Sequence, residues 1–477
     1  MIKFIVLFLL FGQVTLGQQN LTLNKSQMYA DFDTLVNTIY QTSPQVQVKK
    51  DVLNYDFIKE TNLLRRQIDT ISNDLSFYRL LLGVLNSSQD LHTSALNEQI
   101  GWAEKQDNDY WTWRNSKFKF TIPLTYGNGN YYITSPVIIK NDTIPIGTVM
   151  NKFNGKDIDN YVNQKTWTRN GFSIDFNNKK FYNDNFYKNL ESIFKDSLII
   201  SFTLPQGTKK EFHLPSLYQP KYLPIKKYVD TTRVEYWESE RILYIRLTEM
   251  SEKYKDYLKI KLNDVKSEIN KIDKIIVDIR NNPGGNDNVW TDLYADLIDL
   301  PITYKLKMAV TEQISLRTEF ISKREKNNDK IIKKYNFYNI SNEIESIEPS
   351  NLSIHFKGKI FVLSENVYSS AGSAVAVASA NNNDNLISVG RYTGQFLGIG
   401  IPPLKFELAN SKLKFRVAPS IEITNVKKAK DLMQDKIEVI VPFDLSYYIA
   451  KFESKILPTD KNFLIKFDPF IKAVIEQ

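Results

Sequence analysis

The stretch Lys274–Gly285 reads Lys-Ile-Ile-Val-Asp-Ile-Arg-Asn-Asn-Pro-Gly-Gly, a run typical of a buried strand that ends abruptly in a turn. A second stretch, Lys359–Gly372, reads Lys-Ile-Phe-Val-Leu-Ser-Glu-Asn-Val-Tyr-Ser-Ser-Ala-Gly and precedes the small apolar run Ser373–Ala380. Each stretch predicts a strand, a polar turn and then a helix. Because reacting groups gather at turns that follow the strands of an α/β sheet, the two turns are where we expect a functional site.

Strands and helices alternate over the second half of the chain, which predicts a mixed α/β fold. The charged segment 311–357 interrupts the alternation and is predicted to be an insertion over the core rather than part of it. The predicted strands are Ile242–Leu247, Ile275–Ile279, Ile360–Leu363 and Leu386–Val389, the predicted helices are Tyr254–Ile272, Val289–Leu300 and Ala371–Ala380, and Leu404–Leu408 and Leu413–Val417 are predicted to pair as a hairpin.

The first half of the chain has two different patterns. Apolar residues at helical spacing predict a helical region, with one helix ending before Pro44 and another starting at a cap formed by residues 72–74. Short β-rich runs follow until a proline-containing linker near residue 220. The predicted divisions are a signal peptide at 1–17, a helical domain at 18–115, a β-rich domain at 116–222 and a core domain at 223–477.

Length and composition restrict the class of protein. The 477 residues exceed one ordinary domain, and the 42% hydrophobic content is sufficient for real cores. The net charge is +8, but the lysines are spread along the chain, so we expect no nucleic-acid partner. The absence of cysteine excludes disulfides, thiol nucleophiles and zinc–thiolate sites.

The N-terminus has the pattern of a signal peptide. Lys3 precedes the apolar run Phe4–Phe11, and the small residues Thr15 and Gly17 occupy the positions expected at a cleavage site. The run is too short to span a bilayer stably. We therefore expect cleavage near Gly17 and an exported protein, periplasmic or secreted, without stable membrane insertion.

The chain has three histidines as candidate catalytic bases. His213 lies in an alternating strand pattern and His355 at the edge of the charged segment, so both are predicted to be surface or packing residues. His92 follows Asp90 in a polar loop just past a predicted helix, where a side chain can reach across an interface. A lone loop histidine is usually solvated, but His92 is the histidine best placed for function.

Ser370 and the two glycines of the first turn are the other candidates. A serine before an apolar helix is usually a simple N-cap, and a glycine pair is usually a simple turn. Here Ala371 and Gly372 leave the hydroxyl unobstructed, and the start of a helix stabilises negative charge. Gly284 and Gly285 would allow a substrate carbonyl to approach backbone N–H groups. A nucleophile beside such donors is what acyl transfer requires.

Together these motifs resemble those of the C-terminal processing (tail-specific) serine peptidases. Asp278–Gly285 resembles the family's Asp-Leu-Arg-Asn-Asn-x-Gly-Gly signature, and Tyr368–Gly372 resembles its nucleophile motif. Gly147–Ile158 is similar to the core of a PDZ domain. Asp90-Leu91-His92-Thr93 resembles the Asp-Gly-His-Thr motif of exported members. The resemblance implies a PDZ-like domain and a crotonase-like ββα peptidase core.

The resemblance also implies which chemistry operates. The Ser-Lys members carry a lysine about 25 residues after the serine, but this chain has Gln395 there, and glutamine cannot accept a proton. The tricorn-like branch instead uses a histidine that precedes the PDZ-like domain. The implied assignment is Ser370 as nucleophile and His92 as general base, with the N–H groups of Gly284, Gly285 and Ala371 as the oxyanion hole. No cofactor or metal is implied, and the substrate is a polypeptide.

Two residues depart from the motifs, and one residue of the site is left open. Leu91 stands where the family usually has Gly, and Ser373 where it usually has Glu. A tricorn-like carboxylate should follow the serine by some sixty residues, where Asp435 and Glu438 are both candidates. The leading hypothesis is an exported serine endopeptidase acting on unfolded or flexible polypeptides. The alternatives are a catalytically impaired peptide-binding protein and, less compatible with export, an acyl-CoA enzyme of crotonase type.

Overall fold

A computed structural model describes most of the chain. The described residues are 23–96, 122–163, 172–182, 197–215, 218, 220–222, 228–305, 307–321, 323–326, 333–340, 345–367, 370–381, 384–391, 401–424, 426–433 and 437–477. The predicted signal peptide at 1–17 and its cleavage site near Gly17 lie outside them. No helix in the described ranges has the length and apolarity needed to cross a bilayer.

The α-helices begin and end where the sequence supplies caps. Asn24 forms a capping box with Gln27 at the first helix, and Asn73 accepts a hydrogen bond from the Ser76 N–H at the fourth. The described helices are α1 Lys25–Thr42, α2 Pro44–Leu53, α3 Phe57–Arg65, α4 Asp74–Ser87, α5 Ile158–Asn163, α6 Lys255–Val265, α7 Asp287–Leu297, α8 Glu312–Ser315, α9 Thr318–Ile321, α10 Ser370–Ala380, α11 Leu445–Glu453, α12 Lys461–Phe467 and α13 Pro469–Ile475.

The strands are mostly short. They are β1 Ser94–Ala95, β2 Leu124–Gly127, β3 Asn130–Ile133, β4 Val137–Ile139, β5 Asp142–Ile144, β6 Val149–Phe153, β7 Lys156–Asp157, β8 Ser173–Asp175, β9 Lys180–Tyr182, β10 Ser197–Thr203, β11 Lys209–Pro215, β12 Lys221–Tyr222, β13 Arg233–Trp237, β14 Ile242–Arg246, β15 Lys274–Asp278, β16 Ile302–Tyr304, β17 Met308–Val310, β18 Arg324–Lys326, β19 Tyr338–Ile340, β20 Glu345–Ile347, β21 Lys359–Ser364, β22 Leu386–Gly390, β23 Leu404–Glu407, β24 Lys414–Val417, β25 Ser420–Glu422 and β26 Val439–Ile440.

The central six-stranded sheet has the order β13-β14-β15-β21-β22-β26. β13 pairs antiparallel with β14, and every other neighbouring pair is parallel. The helices α7 and α10 pack against each other over one face, where their apolar residues join one core with β15 and β21. The mixed α/β class is confirmed, and each predicted strand and helix of this region is present, although the helix predicted as Tyr254–Ile272 is α-helical only over Lys255–Val265.

The N-terminal helices share a core with a hairpin far along the chain. Apolar residues of α1, α3 and α4 pack with Leu408, Leu413, Phe415 and Val417 in one buried cluster. β23 and β24 form the hairpin that the sequence predicted. The short strand β1 adds to its edge, giving a three-stranded sheet of order β1-β24-β23. The chain after α4 is therefore joined directly to the hairpin.

The described residues between 122 and 222 form mainly antiparallel strands. Their largest sheet has the order β11-β10-β6-β3-β2, and β12, β4 and β5 form a second sheet. Val48 and Val52 of α2 belong to the same hydrophobic core as this β-rich region. Phe443, just after β26, occupies the space beside Gly127, where a Cβ would lie 2.2 Å from its ring.

The charged segment 311–357 is less peripheral than expected. β20 pairs with β16, and β19 pairs with β17, which also pairs with β25. Ile347, Ile354 and Phe356 are buried in the core over the central sheet. The prediction that this segment lies over the core and is not part of it was wrong for these residues, because a few apolar side chains in a charged segment are enough to join a core.

Candidate active site

The two predicted turns leave the central sheet at the same end, the carboxyl end of its parallel strands. β15 and β21 are parallel neighbours, with Asp278 opposite Leu363. Beyond the strands the backbone stays joined, because the Ile279 N–H donates to Leu363 O at 3.0 Å and the Asn281 N–H donates to Glu365 O at 2.7 Å. The glycine turn and the segment that leads to α10 are therefore brought side by side.

Gly285 can only be a glycine in this turn. Its φ is +147°, and a Cβ there would lie 2.1 Å from Met250 O. The turn is held against that residue by the Met250 N–H, which donates to Gly284 O at 3.0 Å, and by the Asn286 N–H, which donates to Met250 O at 2.8 Å. Close approach to Met250 is a reason for glycine that the sequence did not reveal.

Asn282 fixes the shape of the glycine turn from inside. It is fully buried, and its side-chain amide donates to Leu247 O at 2.9 Å. Its Oδ1 accepts a hydrogen bond from the Gly284 N–H at 2.8 Å. In this structure the Gly284 N–H is thus engaged inside the turn. Asn282 belongs to the signature Asp278–Gly285, but no role was predicted for it from the sequence.

A buried charge network lies beneath the glycine turn. Asp278 accepts hydrogen bonds from Tyr244 OH and from Nε and Nη2 of Arg280, and Nη1 of Arg280 reaches Asp468 at 2.8 Å. Burial alone would raise the pKa of Asp278, but the guanidinium groups of Arg280 and Arg246 outweigh it and hold that pKa well below its usual range. The end of β15 is therefore a rigid charged platform.

Ser370 is the first residue of α10. Its side chain and the residues Tyr368 and Ser369 lie outside the described part of the structure. Ala371 is fully buried, and as the second residue of the helix its N–H belongs to the group that lacks an intrahelical partner. Tyr294 OH of α7 donates to Ala374 O at 3.0 Å, which anchors the helix. Ser373, the departure from the family motif, is also buried.

His92 lies in a loop that its neighbour Asp90 organises. The His92 N–H donates to Asp90 Oδ1 at 3.0 Å, and Nδ1 of the imidazole lies 3.8 Å from the same oxygen. The Asp90 side chain is 1% exposed and that of His92 is 26% exposed. A buried carboxylate thus lies beside a ring that remains partly accessible. Asp90 is a functional candidate that the sequence motif contained without a predicted role, and its spacing of two residues before His92 was the available signal.

The loop is tied to the hairpin immediately after His92. Thr93 Oγ1 donates to Asp90 Oδ2 at 2.8 Å and accepts a hydrogen bond from the Ala418 N–H at 3.3 Å. Ser94 then pairs with Arg416 and Ala95 with Phe415. The exposed face of this small sheet lines a pocket that contains three cationic side chains and one carboxylate: Lys405, Lys414, Arg416 and Glu407.

The remaining candidates lie elsewhere. His213 is exposed on β11 beside Glu211, and His355 is exposed beside Asp299, which confirms both as surface residues. Asp435 and Gln395 lie outside the described residues. Glu438 is exposed and accepts hydrogen bonds from the N–H and hydroxyl of Ser388, in the middle of β22. Within the described ranges, no group of three or more His, Asp or Glu side chains is arranged to hold a metal ion.

A known family matches the sequence that carries both turns. The model of peptidase family S41 matches residues 241–417. Residues 241–417 form a domain of peptidase family S41. The S41 domain contains both turns and both strands of the hairpin, while His92 lies outside the matched residues. The match confirms the predicted family for this domain and supports a serine-type peptidase, a hydrolase, whereas the pairing of a serine with a histidine stays a prediction.

Solved structures of CPAF share the fold at low sequence identity. Mature CPAF is 12% identical, with 95% of this chain and 98% of that chain covered and a TM-score of 0.54. CPAF complexed with lactacystin is 13% identical, with 95% and 99% covered and a TM-score of 0.55. The photosystem II D1 C-terminal processing protease is 12% identical, with 93% and 97% covered and a TM-score of 0.40. No curated protein matches the chain.

Proposed function

We propose that this S41 peptidase is an exported serine endopeptidase that cleaves unfolded or flexible polypeptides. Ser370 is the nucleophile and His92 is the general base. The observation that carries the assignment is the pairing of β1 with β24, because it joins the loop of His92 to a strand of the S41 domain. A histidine held to that domain can serve a serine that the same domain carries.

In the proposed reaction His92 takes the proton of the Ser370 hydroxyl while its oxygen attacks the scissile carbonyl carbon. The negative charge on the carbonyl oxygen is stabilised by backbone N–H groups of Ala371 and Gly285, with Gly284 contributing if its N–H leaves Asn282. His92 then gives the proton to the leaving amine. A water molecule, deprotonated by the same imidazole, releases the acyl group from the serine.

Asp90 is proposed to orient the imidazole. Its carboxylate lies on the Nδ1 side of the ring, so Nε2 is left to face the nucleophile. An orienting carboxylate holds the productive tautomer and stabilises the imidazolium during the reaction. This local carboxylate is an alternative to Asp435 and Glu438.

The domain roles are proposed from the sequence. Residues 1–17 direct export and are removed, the helical residues 18–115 carry the base, and residues 116–222 form a PDZ-like domain that presents the polypeptide to the core domain at 223–477. The contact of Phe443 with the β-rich region supports this arrangement. Its strand Asn130–Ile133 stacks Tyr132 on that ring.

A catalytically impaired peptide-binding protein is the second candidate. The engaged N–H of Gly284 favours it, because one oxyanion donor is not free in this structure. Leu91 and Ser373, which depart from the family motifs, favour it as well.

Digestion of a permanently unfolded protein, compared with the same protein in its folded state, tests the proposal. The purified chain should cleave only the unfolded form, and Ser370→Ala should lower turnover by about 10⁴-fold or more. Equal activity in Ser370→Ala would overturn the proposal. Binding of the unfolded protein by the wild type without cleavage would establish the second candidate instead.

A further inference from the structure

Lys49 of α2 is a buried cation next to the loop that carries His92. The residue is 1% exposed, and its ammonium Nζ donates to Ser88 O at 2.7 Å and to Gln89 O at 2.8 Å. These carbonyls directly follow α4, where the last carbonyl groups of a helix lack intrahelical partners and the helix dipole favours a cation. We propose that Lys49 is a positioning residue for His92, an inference that rests on the proposed function.

The contacts run without a break from the ammonium to the imidazole loop. Gln89 has a φ of +50°, a conformation that a non-glycine residue adopts only when its surroundings impose it. Its carbonyl is held by Lys49, and its side-chain Oε1 accepts a hydrogen bond from the Phe172 N–H at 3.1 Å. The next residue, Asp90, organises His92. Lys49 thus fixes the backbone from which Asp90 and His92 project.

A second donor makes a comparison possible. Tyr55 OH donates to Ser87 O at 2.8 Å, so three consecutive carbonyls accept hydrogen bonds from side chains of α2 and the residues after it. Tyr55 holds the end of α4, whereas Lys49 holds the residues beyond it. If these bonds only anchored α4, substitution of Tyr55 or of Lys49 would lower turnover equally. If Lys49 positions His92, its substitution lowers turnover more.

The charge of Lys49 is held at an energetic cost. Burial lowers the pKa of Lys49 to about 8 from an ordinary value of 10.5. The negative charge of the Asp90 carboxylate opposes this shift. Between these values the unfolded chain binds the proton and the folded chain does not, so the stability contributed by this group rises with pH. Its hold on the two carbonyls weakens over the same range, because a neutral amine donates weaker hydrogen bonds than an ammonium.

Turnover of an unfolded polypeptide by Lys49→Met is the test, with Lys50→Met as the matched control, since Lys50 is exposed and pairs with Asp56. We expect kcat to fall about 100-fold in Lys49→Met with KM nearly unchanged, a severalfold loss at most in Tyr55→Phe, and no change in Lys50→Met. Wild-type kcat should also decline as pH rises through about 8, and this step should be absent in Lys49→Met.

Lys49→Gln, which keeps a neutral donor, is the second variant, and near-UV circular dichroism establishes that each variant is folded. A kcat in Lys49→Met equal to that of Lys50→Met would overturn the inference, as would an alkaline step that persists in Lys49→Met or failure of both variants to fold. If Ser370→Ala and His92→Gln retain activity, the proposed function itself fails. If those two variants are inactive and Lys49→Met is normal, only the positioning role of Lys49 is ruled out.

Discussion

Ser94 pairs with Arg416 in antiparallel register. Ser94 comes two residues after His92, and Arg416 comes two residues before Ala418. The Arg416 Nε also donates to Ser94 Oγ at 3.0 Å, so side chains reinforce the backbone pairing. Residues more than 300 positions apart are joined by this contact. It explains how His92, the proposed base from the N-terminal helices, can belong to a site whose other proposed residues lie in the S41 domain.

Thr93→Val removes a hydroxyl that bridges the His92 loop and the hairpin. The variant loses the bond to Asp90 and leaves the Ala418 N–H without its acceptor, which should cost about 1–3 kcal/mol of unfolding free energy. We expect turnover to fall about tenfold or more, because the loop is less constrained. Urea unfolding and steady-state kinetics measure both effects. Thr70→Val, at an exposed position, should leave turnover unchanged; equal losses in the two variants would argue against the bridge.

Gly285→Ala should displace the glycine turn from Met250. The new Cβ would lie 2.1 Å from a backbone oxygen at a φ of +147°, so the turn must move. We expect turnover to fall about 100-fold, because backbone donors shift relative to the substrate carbonyl. Gly207→Ala is the control: its φ is +88°, but no atom lies within 4 Å of the added Cβ. It should cost about 1–2 kcal/mol of stability with unchanged turnover, and normal turnover in Gly285→Ala would contradict the account of this turn.

Arg280→Met should destabilise the core domain strongly. Its removal leaves the buried carboxylate of Asp468 without its cation and leaves Asp278 with only the more distant Arg246, and breaking a buried pair in this way costs about 3–5 kcal/mol. Arg241→Met is the matched control, because Arg241 pairs with Asp273 at a half-exposed position where an ion pair is worth about 1 kcal/mol or less. Chemical unfolding measures both. A loss in Arg280→Met no larger than that in Arg241→Met would contradict the proposed platform.

The low pKa of Asp278 predicts an acid dependence of stability. Because its folded pKa lies below the unfolded value of about 4, this group stabilises the fold fully above that value, and the contribution is lost as pH falls through the folded pKa. Asp278→Asn should therefore be less stable than wild type at pH 7, and the difference should shrink as pH falls below about 4. Unfolding experiments at a series of pH values measure this. A difference that is constant with pH would show that the Asp278 charge is not the cause.

The central sheet and its two turns could be predicted from the sequence because their strands are continuous apolar runs that end in polar turns. Lys274–Asp278 and Lys359–Ser364 are such strands, and small residues after Ser370 predict a helix that packs closely. The prediction of a C-terminal processing peptidase depended on the same residues, which lie within the matched S41 domain. Local patterns of this kind report burial directly.

Other features depend on tertiary contacts that leave no local pattern. Ser94–Ala95 has only two residues, too few for any periodic signal, yet it joins the loop of the proposed base to the hairpin of the S41 domain. Lys49 and Lys50 are adjacent and chemically identical, but one is buried and the other exposed. The contact of Gly285 with Met250 likewise appears only when the chain is folded.

Labelling with a serine-directed fluorophosphonate, located by mass spectrometry, tests the central claim most directly. The account predicts one adduct, on Ser370, that is absent in Ser370→Ala. In His92→Gln the adduct should form at least about 100-fold more slowly, because the hydroxyl then lacks its proton acceptor. Labelling at Ser370 that proceeds at the wild-type rate in His92→Gln would contradict the pairing of this serine with this histidine.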